Sequence, residues 1–109
     1  MPNPQKAKGS AFERLVRDYL AEAFHCERIP AGATLDRGDL WTPTACIQCK
    51  NHRTLSLGSW LAQTAEQQRN AGKPYGVLVV KRKGTTDPAD QFAILPLSQL
   101  RSLLSHLPP

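Results

Sequence analysis

The sequence predicts an α/β fold in the order αβββαββα, and three observations carry that expectation. Phe12, Leu15, Val16, Tyr19, Leu20, Ala23 and Phe24 recur at helical spacing between Ser10 and Phe24, the apolar stripe of a helix that lies on a sheet. Tyr75-Gly76-Val77-Leu78-Val79-Val80 is nearly continuous apolar sequence, as expected of a strand covered on both faces. The chain has 109 residues, and a domain of that size buries only about two-thirds of the surface its unfolded chain exposes. One compact core is expected, with dimerisation as a supplement.

Taken in order, residues 1–8 carry two prolines and two lysines with no apolar period and read as a flexible basic arm. Ser10 then stands as N-cap of the first helix, with Glu13 three residues on, the spacing of a capping box. Glu13 also flanks the apolar stripe beside Val16 and Leu20, so capping and leaning over the sheet are both open to it. Short strands are expected over 25–29, 38–41 and 45–50, the first two separated by Pro30-Ala31-Gly32-Ala33 and the last two joined by Thr42-Pro43-Thr44 as a hairpin turn. A second helix should run from Ser59 to Ala71 and stop at Gly72, with Trp60, Leu61, Thr64, Ala65, Gln68 and Ala71 near one face and Glu66 and Gln67 in water. Beyond the buried strand, Phe92 to Leu95 reads as a last strand, and Leu97, Leu100, Leu103, Leu104 and Leu107 mark a C-terminal helix. No repeat or long linker divides the chain, so residues 1–109 read as a single domain.

The net charge of +5 suits a polyanionic partner, because lysine and arginine placed on phosphates free condensed counterions. Three cysteines, an odd number, argue against a secreted disulfide framework and fit a reducing cytoplasm. No segment approaches the ~20 apolar residues that span a bilayer, and the N-terminus lacks the apolar stretch of a signal peptide. A soluble cytoplasmic protein with no membrane partner is expected.

Residues two apart in a strand share a face, so Gln48 and Lys50 point together while Ile47 and Cys49 point the other way. If 38–41 pairs with this strand across the short turn, Asp39 comes near both, beneath the helix that carries Glu13. An acid, an amide and a lysine so grouped can hold a hard cation through oxygen and act on a phosphodiester; spacing alone equally allows a solvated face with a chance salt bridge. Cys46-Ile47-Gln48-Cys49 spells C-x-x-C, with His25, Cys26 and His52 as further zinc candidates. Thiols three apart on a strand face opposite sides, which favours ordinary packed thiols. Asp36, an odd number of positions from Asp39, would face away from it in a continuous strand. Lys81-Arg82-Lys83 is either a phosphate-binding edge or a solvated strand end, Gln68 is a helix glutamine within possible reach of the site, and Trp60 fits a core or dimer contact.

Lys8-Gly9-x-x-x-Glu13-Arg14, Arg28, Gly38-Asp39-Leu40 and Ile47-Gln48-Cys49-Lys50-Asn51, in this order and on these elements, resemble the Holliday junction resolvases of the PD-(D/E)XK nuclease superfamily. The resemblance runs from Lys8 to about Arg82. It implies a restriction-endonuclease-like αβββαβ core with a mixed central sheet flanked by helices, the last strand and C-terminal helix being additions. It further implies that Asp39 and position 48 are ligands of Mg2+ or Mn2+ together with the Cys49 backbone carbonyl, that Lys50 is the catalytic lysine, that Glu13 is an acidic helper and possible ligand, and that Arg14 contacts phosphate. Position 48 is a carboxylate in resolvases and Gln48 here, as in the Gln-x-Lys strand of Mrr-type restriction endonucleases; its carbonyl still ligates, with less charge. Pro30 stands where the family often has serine, and Thr34 is the nearest substitute. Lys6, Lys8, Arg14, Arg17, Arg53, Lys81, Arg82 and Lys83 are the candidate DNA contacts. The expected protein is a homodimeric endonuclease of DNA recombination or repair acting on branched or four-way DNA, in the host cytoplasm if phage-encoded. The alternatives are a noncatalytic DNA-binding module with a decayed site and a restriction or repair nuclease acting on linear duplex.

Overall fold

The computed structural model describes residues 3–30 and 35–109. Asn3-Pro4 begins the first helix, α1, Pro4–Ala21. Asn3 Oδ1 accepts from the N–H groups of Gln5 and Lys6 at 3.0 and 3.4 Å, and proline at the first helical position gives up no needed donor. This cap corrects two expectations. Residues 4–8 are helix rather than arm, and Ser10 lies inside α1, so Glu13 belongs to no capping box. The helix also stops three residues short of Phe24, which with Tyr19 is exposed; Phe12 and Val16 are the residues of α1 that are buried. Met1, Pro2 and the loop position Thr34 lie outside the described residues.

Five strands form one mixed sheet in chain order: β1 Glu27–Arg28, β2 Leu40–Trp41, β3 Ala45–Lys50, β4 Tyr75–Val80 and β5 Phe92–Ile94. β1, β2 and β3 pair antiparallel in turn, β3 and β4 are parallel, and β5 returns antiparallel to β4. The β2–β3 turn closes by Thr42 N–H donating to Ala45 O at 2.9 Å, while Thr42 Oγ1 accepts from Thr44 and Ala45 N–H. The parallel crossover is α2, Leu57–Ala71, which ends on Gly72 in the left-handed region at φ 66°, where glycine carries no Cβ penalty. A 3-10 turn over Pro88–Asp90 leads into β5, and α3 spans Leu97–Ser105.

Strand alternation assigns the layers. Ile47 and Val79 pack with Phe12 and Val16 of α1, Cys26 and Leu40, whereas Leu78 and Val80 pack with Trp60 of α2. The two long helices therefore cover opposite faces of the sheet, the arrangement that a β4 apolar on both sides demands. α3 buries none of its residues. It is held by polar groups: Gln99 accepts from Gly76 N–H at 2.9 Å and donates to Gln68 Oε1 at 2.9 Å, and Ser102 Oγ pairs with Tyr75 Oη at 2.9 Å.

Candidate functional site

Asp39 is positioned by its backbone before its side chain acts. Its N–H donates to Ile47 O at 3.0 Å and its carbonyl accepts from Ile29 N–H at 2.9 Å, so it is clamped between β3 and the chain after β1. Oδ2 then accepts the Cys49 N–H at 2.8 Å. The N–H and C=O of a strand residue leave on the same side, so the Cys49 carbonyl faces the same notch. Gly38 makes the approach possible: its φ is +91°, and a Cβ there would stand 2.5 Å from Cys46 Sγ.

Glu13 reaches this notch from α1, steadied by Arg28 Nη2 donating to Oε2 at 3.2 Å. Burial, followed by the charge and hydrogen bond of Glu13, pushes the Asp39 carboxyl up to about 6, against the opposing pull of the Cys49 N–H and Lys50. Two carboxyls thus share a partly buried space, where each disfavours the charge of the other.

Gln48 and Lys50 lie on the opposite face, the one covered by α2. Gln48 is 2% exposed, with Oε1 2.6 Å from Thr64 Oγ1. Lys50 Nζ sits 5.8 Å from the centre of the Trp60 ring, which His52 also adjoins at 5.1 Å. The expectation that Gln48 and Lys50 lie beneath the helix of Glu13 is therefore corrected: α1 covers the face of Ile47 and Cys49. The four residues still meet, because β2 is only two residues long and the sheet opens beside Lys50. A cavity of about 710 Å³ wraps around that open end and is lined by Glu13, Asp39, Gln48, Cys49 and Lys50 together with Arg28.

One wall was missed by the reading of the sequence. Asp36 Oδ2 accepts from Gln67 Nε2 at 2.8 Å and Gln63 Nε2 at 3.4 Å, Asp36 O accepts from Asn70 Nδ2 at 2.8 Å, and Oδ1 accepts from Gly38 N–H at 3.2 Å. Burial pushes the Asp36 carboxyl up, but the bonds from Gln67, Gly38 and Gln63 and the Lys50 charge leave it below the ordinary aspartate value. Asp36 is thus the clamp that ties the loop before Asp39 to α2. Its signal was present as Gln63, Gln67 and Asn70, an amide stripe at i, i+4 and i+7. Gln67, expected in water, is 2% exposed, and its Oε1 is buried without a hydrogen-bond partner among the described residues. Gln68 instead turns away, donating to Lys73 O and Pro74 O, and does not line the cavity.

Of the candidate phosphate contacts, Lys6 lines the cavity from the first turns of α1. Lys8 and Arg14 are exposed on the same helix, and Arg17 is tied to Asp18 at 2.7 Å. Arg53 is exposed just past β3. The Lys81 N–H donates to Lys50 O at 2.9 Å, so the Lys81-Arg82-Lys83 segment leaves the sheet beside the site lysine. The Lys81 ammonium is engaged by the carbonyls of Arg82 and Thr85, and Arg82 lies over Phe92 at 5.7 Å; Lys83 is exposed.

The cysteines are free thiols. Burial, then the charges of Asp39 and Asp36, pushes Cys46 up to about 11, and burial, then Asp39 and Glu13, raises Cys49 well above the ordinary thiol value. Neither presents a thiolate near neutrality. Among the described residues no three His, Cys, Asp or Glu side chains are grouped to hold a metal ion. The cavity nonetheless fits magnesium by donor type, since that ion is commonly held by one or two carboxylates with waters and substrate phosphate completing its shell. Asp39, Glu13 and the Cys49 carbonyl are oxygen donors, and the Gln48 amide carries one further oxygen, set against Thr64.

No family model, curated protein or solved structure matches the chain.

Proposed function

We propose that this chain is a Mg2+- or Mn2+-dependent endodeoxyribonuclease of the PD-(D/E)XK kind, with a restriction-endonuclease-like core, acting on branched DNA such as four-way junctions. The observation that carries the reading is the convergence of Glu13, Asp39, Gln48 and Lys50 on one cavity from α1, the β2 edge and β3. Asp39, Gln48 and the Cys49 carbonyl, with Glu13 beside them, would hold the divalent cation. A cation so held would supply the polarisation of the scissile phosphate and the activation of a water. Lys50 stabilises negative charge developing on the phosphate. Arg28 keeps Glu13 turned into the notch, and Lys6 at the rim, with Lys8 and Arg14 further along α1, receives the DNA backbone. The sequence carries no base-reading motif, so affinity rests on phosphates and selectivity on DNA shape.

The partner in the assembly is a second copy, seated on the exposed leucines of α3, and the two sites of such a dimer suit two opposed cuts. No helix among the described residues is long and apolar enough to cross a membrane. The free thiols suit a reducing cytoplasm, that of the host if the chain is phage-encoded.

A second reading, a noncatalytic DNA-binding module, is favoured by the amide at position 48 and by the want of a third acidic ligand among the described residues. The deciding experiment incubates the protein with four-way junction, flap and linear duplex of common sequence, with and without Mg2+ or Mn2+. Metal-dependent cutting of branched substrates is expected. Equal cutting of linear duplex, or strict dependence on one sequence, assigns a restriction or repair role instead. Binding without cleavage of any substrate assigns the module.

A further inference from the structure

Thr64 presents a proton-counting problem whose solution bears on the cavity. Its Oγ1 lies 2.6 Å from Gln48 Oε1 and 2.7 Å from Trp60 O. Both neighbours are acceptors, and a hydroxyl has one proton to give. With the amide oxygen toward Thr64, one of the two contacts therefore sets oxygen lone pairs against each other in a place where Thr64 and Gln48 are each 2% exposed. Threonine within a helix ordinarily gives its proton to the carbonyl four residues back, here Trp60. The conflict then falls on Gln48. A half-turn of its terminal amide exchanges oxygen and nitrogen with almost no movement of heavy atoms. Nε2 then donates to the free lone pair of Thr64 Oγ1, and both short contacts become hydrogen bonds.

The turn also decides what the other end of the amide offers. Among the described residues the second terminal atom of Gln48 has no hydrogen-bond partner, and Gln48 lines the cavity. With the oxygen toward Thr64 that atom is a nitrogen carrying two protons, which would repel a cation. In the turned orientation it is the carbonyl oxygen.

We infer that Thr64 is a positioning residue: by passing its proton to Trp60 O and accepting from Gln48 Nε2, it holds the Gln48 amide with its oxygen toward the cavity as a cation donor. The inference rests on the proposed metal site, yet the hydrogen-bond relay itself can be observed without metal. It also gives a reason for an amide at position 48, since an ionised carboxylate could offer an oxygen to the cavity but has no proton to donate to Thr64.

The test uses the full chain in two measurements. In metal-free protein labelled at Gln48, strong nuclear Overhauser contacts are expected between the side-chain amide protons and the Thr64 methyl group; their absence overturns the relay. Mn2+ affinity is then measured by electron paramagnetic resonance without DNA, for wild type, Thr64→Val and Thr64→Ser, with thermal melting to verify folding. Removing an outer partner of a metal ligand typically weakens affinity about 10- to 100-fold, so Thr64→Val should fall by at least about 10-fold, while Thr64→Ser, which keeps the hydroxyl, should recover most of it. A folded Thr64→Val with wild-type affinity overturns the positioning role. If Thr64→Val fails to fold, the serine variant decides, because a loss as large as that of Gln48→Leu would also overturn it. Wild-type protein that binds no Mn2+ overturns the metal-site reading and the role built on it, even if the Overhauser contacts show the hydrogen bond to exist.

Discussion

At the C-terminal end of β3 the molecule buries polar groups: Gln48, Thr64 and Gln67 are almost wholly enclosed, and the Glu13 and Asp39 carboxyls face one another. At the other end of the sheet, α3 does the reverse. Its glutamine and serine face the body, while Leu97 and Leu104 are 78% and 57% exposed and Leu100, Leu103 and Leu107 are also open to solvent. An isolated exposed leucine needs no explanation, but buried polar groups and contiguous apolar surface do. The difference teaches that polar groups are gathered inward at one end of the sheet and apolar groups turned outward at the other, so the two ends call for different tests: the first of the proposed chemistry, the second of the proposed self-association.

The sharpest way to break the comparison is Asp39→Asn. Asparagine keeps an oxygen for the Cys49 N–H and offers an N–H to Glu13, so the fold should persist while cleavage of junction DNA falls by at least about 100-fold, the scale of losing a major electrostatic contributor. Cleavage near the wild-type rate would remove Asp39 from the site. The same substitution should stabilise the metal-free protein. The folded state holds the Asp39 proton up to about pH 6, whereas the unfolded chain releases it near 4. The unfolded state therefore binds fewer protons between those values, and wild-type stability must fall as pH rises from about 4 to about 6 and stay reduced above. Asp39→Asn should lack that fall, being more stable at pH 8 by about 1–3 kcal/mol, read by denaturant melts at both pH values in chelator.

At the other end, Leu100→Glu with Leu104→Glu should leave the monomer folded, since neither leucine is buried, while weakening self-association by about 100-fold or more. Sedimentation velocity checks this, and a dimer that survives both changes uses a different face.

A smaller effect tests whether the cavity end is as tightly built as its hydrogen bonds indicate. Gly38→Ala forces a side chain into positive φ and against Cys46 Sγ, at a cost of about 1–3 kcal/mol. Adding Cys46→Ala should return part of that by relieving the clash and none of the backbone strain. Thermal melts of the single and double variants separate the two contributions, and a neutral Gly38→Ala would mean that the loop before Asp39 can relax. The smallest change expected is Arg28→Met. Its bond to Glu13 is partly open to water, so about 1 kcal/mol or less of stability should be lost, with a larger consequence for cleavage if Glu13 swings out of the notch. Unchanged cleavage would limit Arg28 to the surface.

Much of this was legible in the sequence. β3 and β4 were read to the residue, β4 because its nearly continuous apolar run meets the requirement of a strand covered on both sides. Gly72 and Thr42-Pro43-Thr44 could also be read, since turn chemistry is local, and strand alternation put Gln48 and Lys50 on one side of β3. The start of α1 was legible but misread. Asn3-Pro4 is itself a helix-start signal, and the lack of an apolar period over 4–8 reflects helical turns exposed to solvent rather than an absence of helix.

What only the tertiary structure decided is how these elements face one another. The sequence determines that Gln48 and Lys50 share a side of β3, but not that α2 covers that side and α1 the other, because two amphipathic helices offer equivalent apolar stripes. Nor does it determine that Asp36 clamps its loop to Gln63, Gln67 and Asn70, since that bond joins residues about 30 positions apart and such partners are chosen by packing. The leucines of α3 make the same point. Their spacing specifies an apolar face, yet the direction in which that face points was decided by Gln99 and Ser102, whose hydrogen bonds to Gly76, Gln68 and Tyr75 turn it outward.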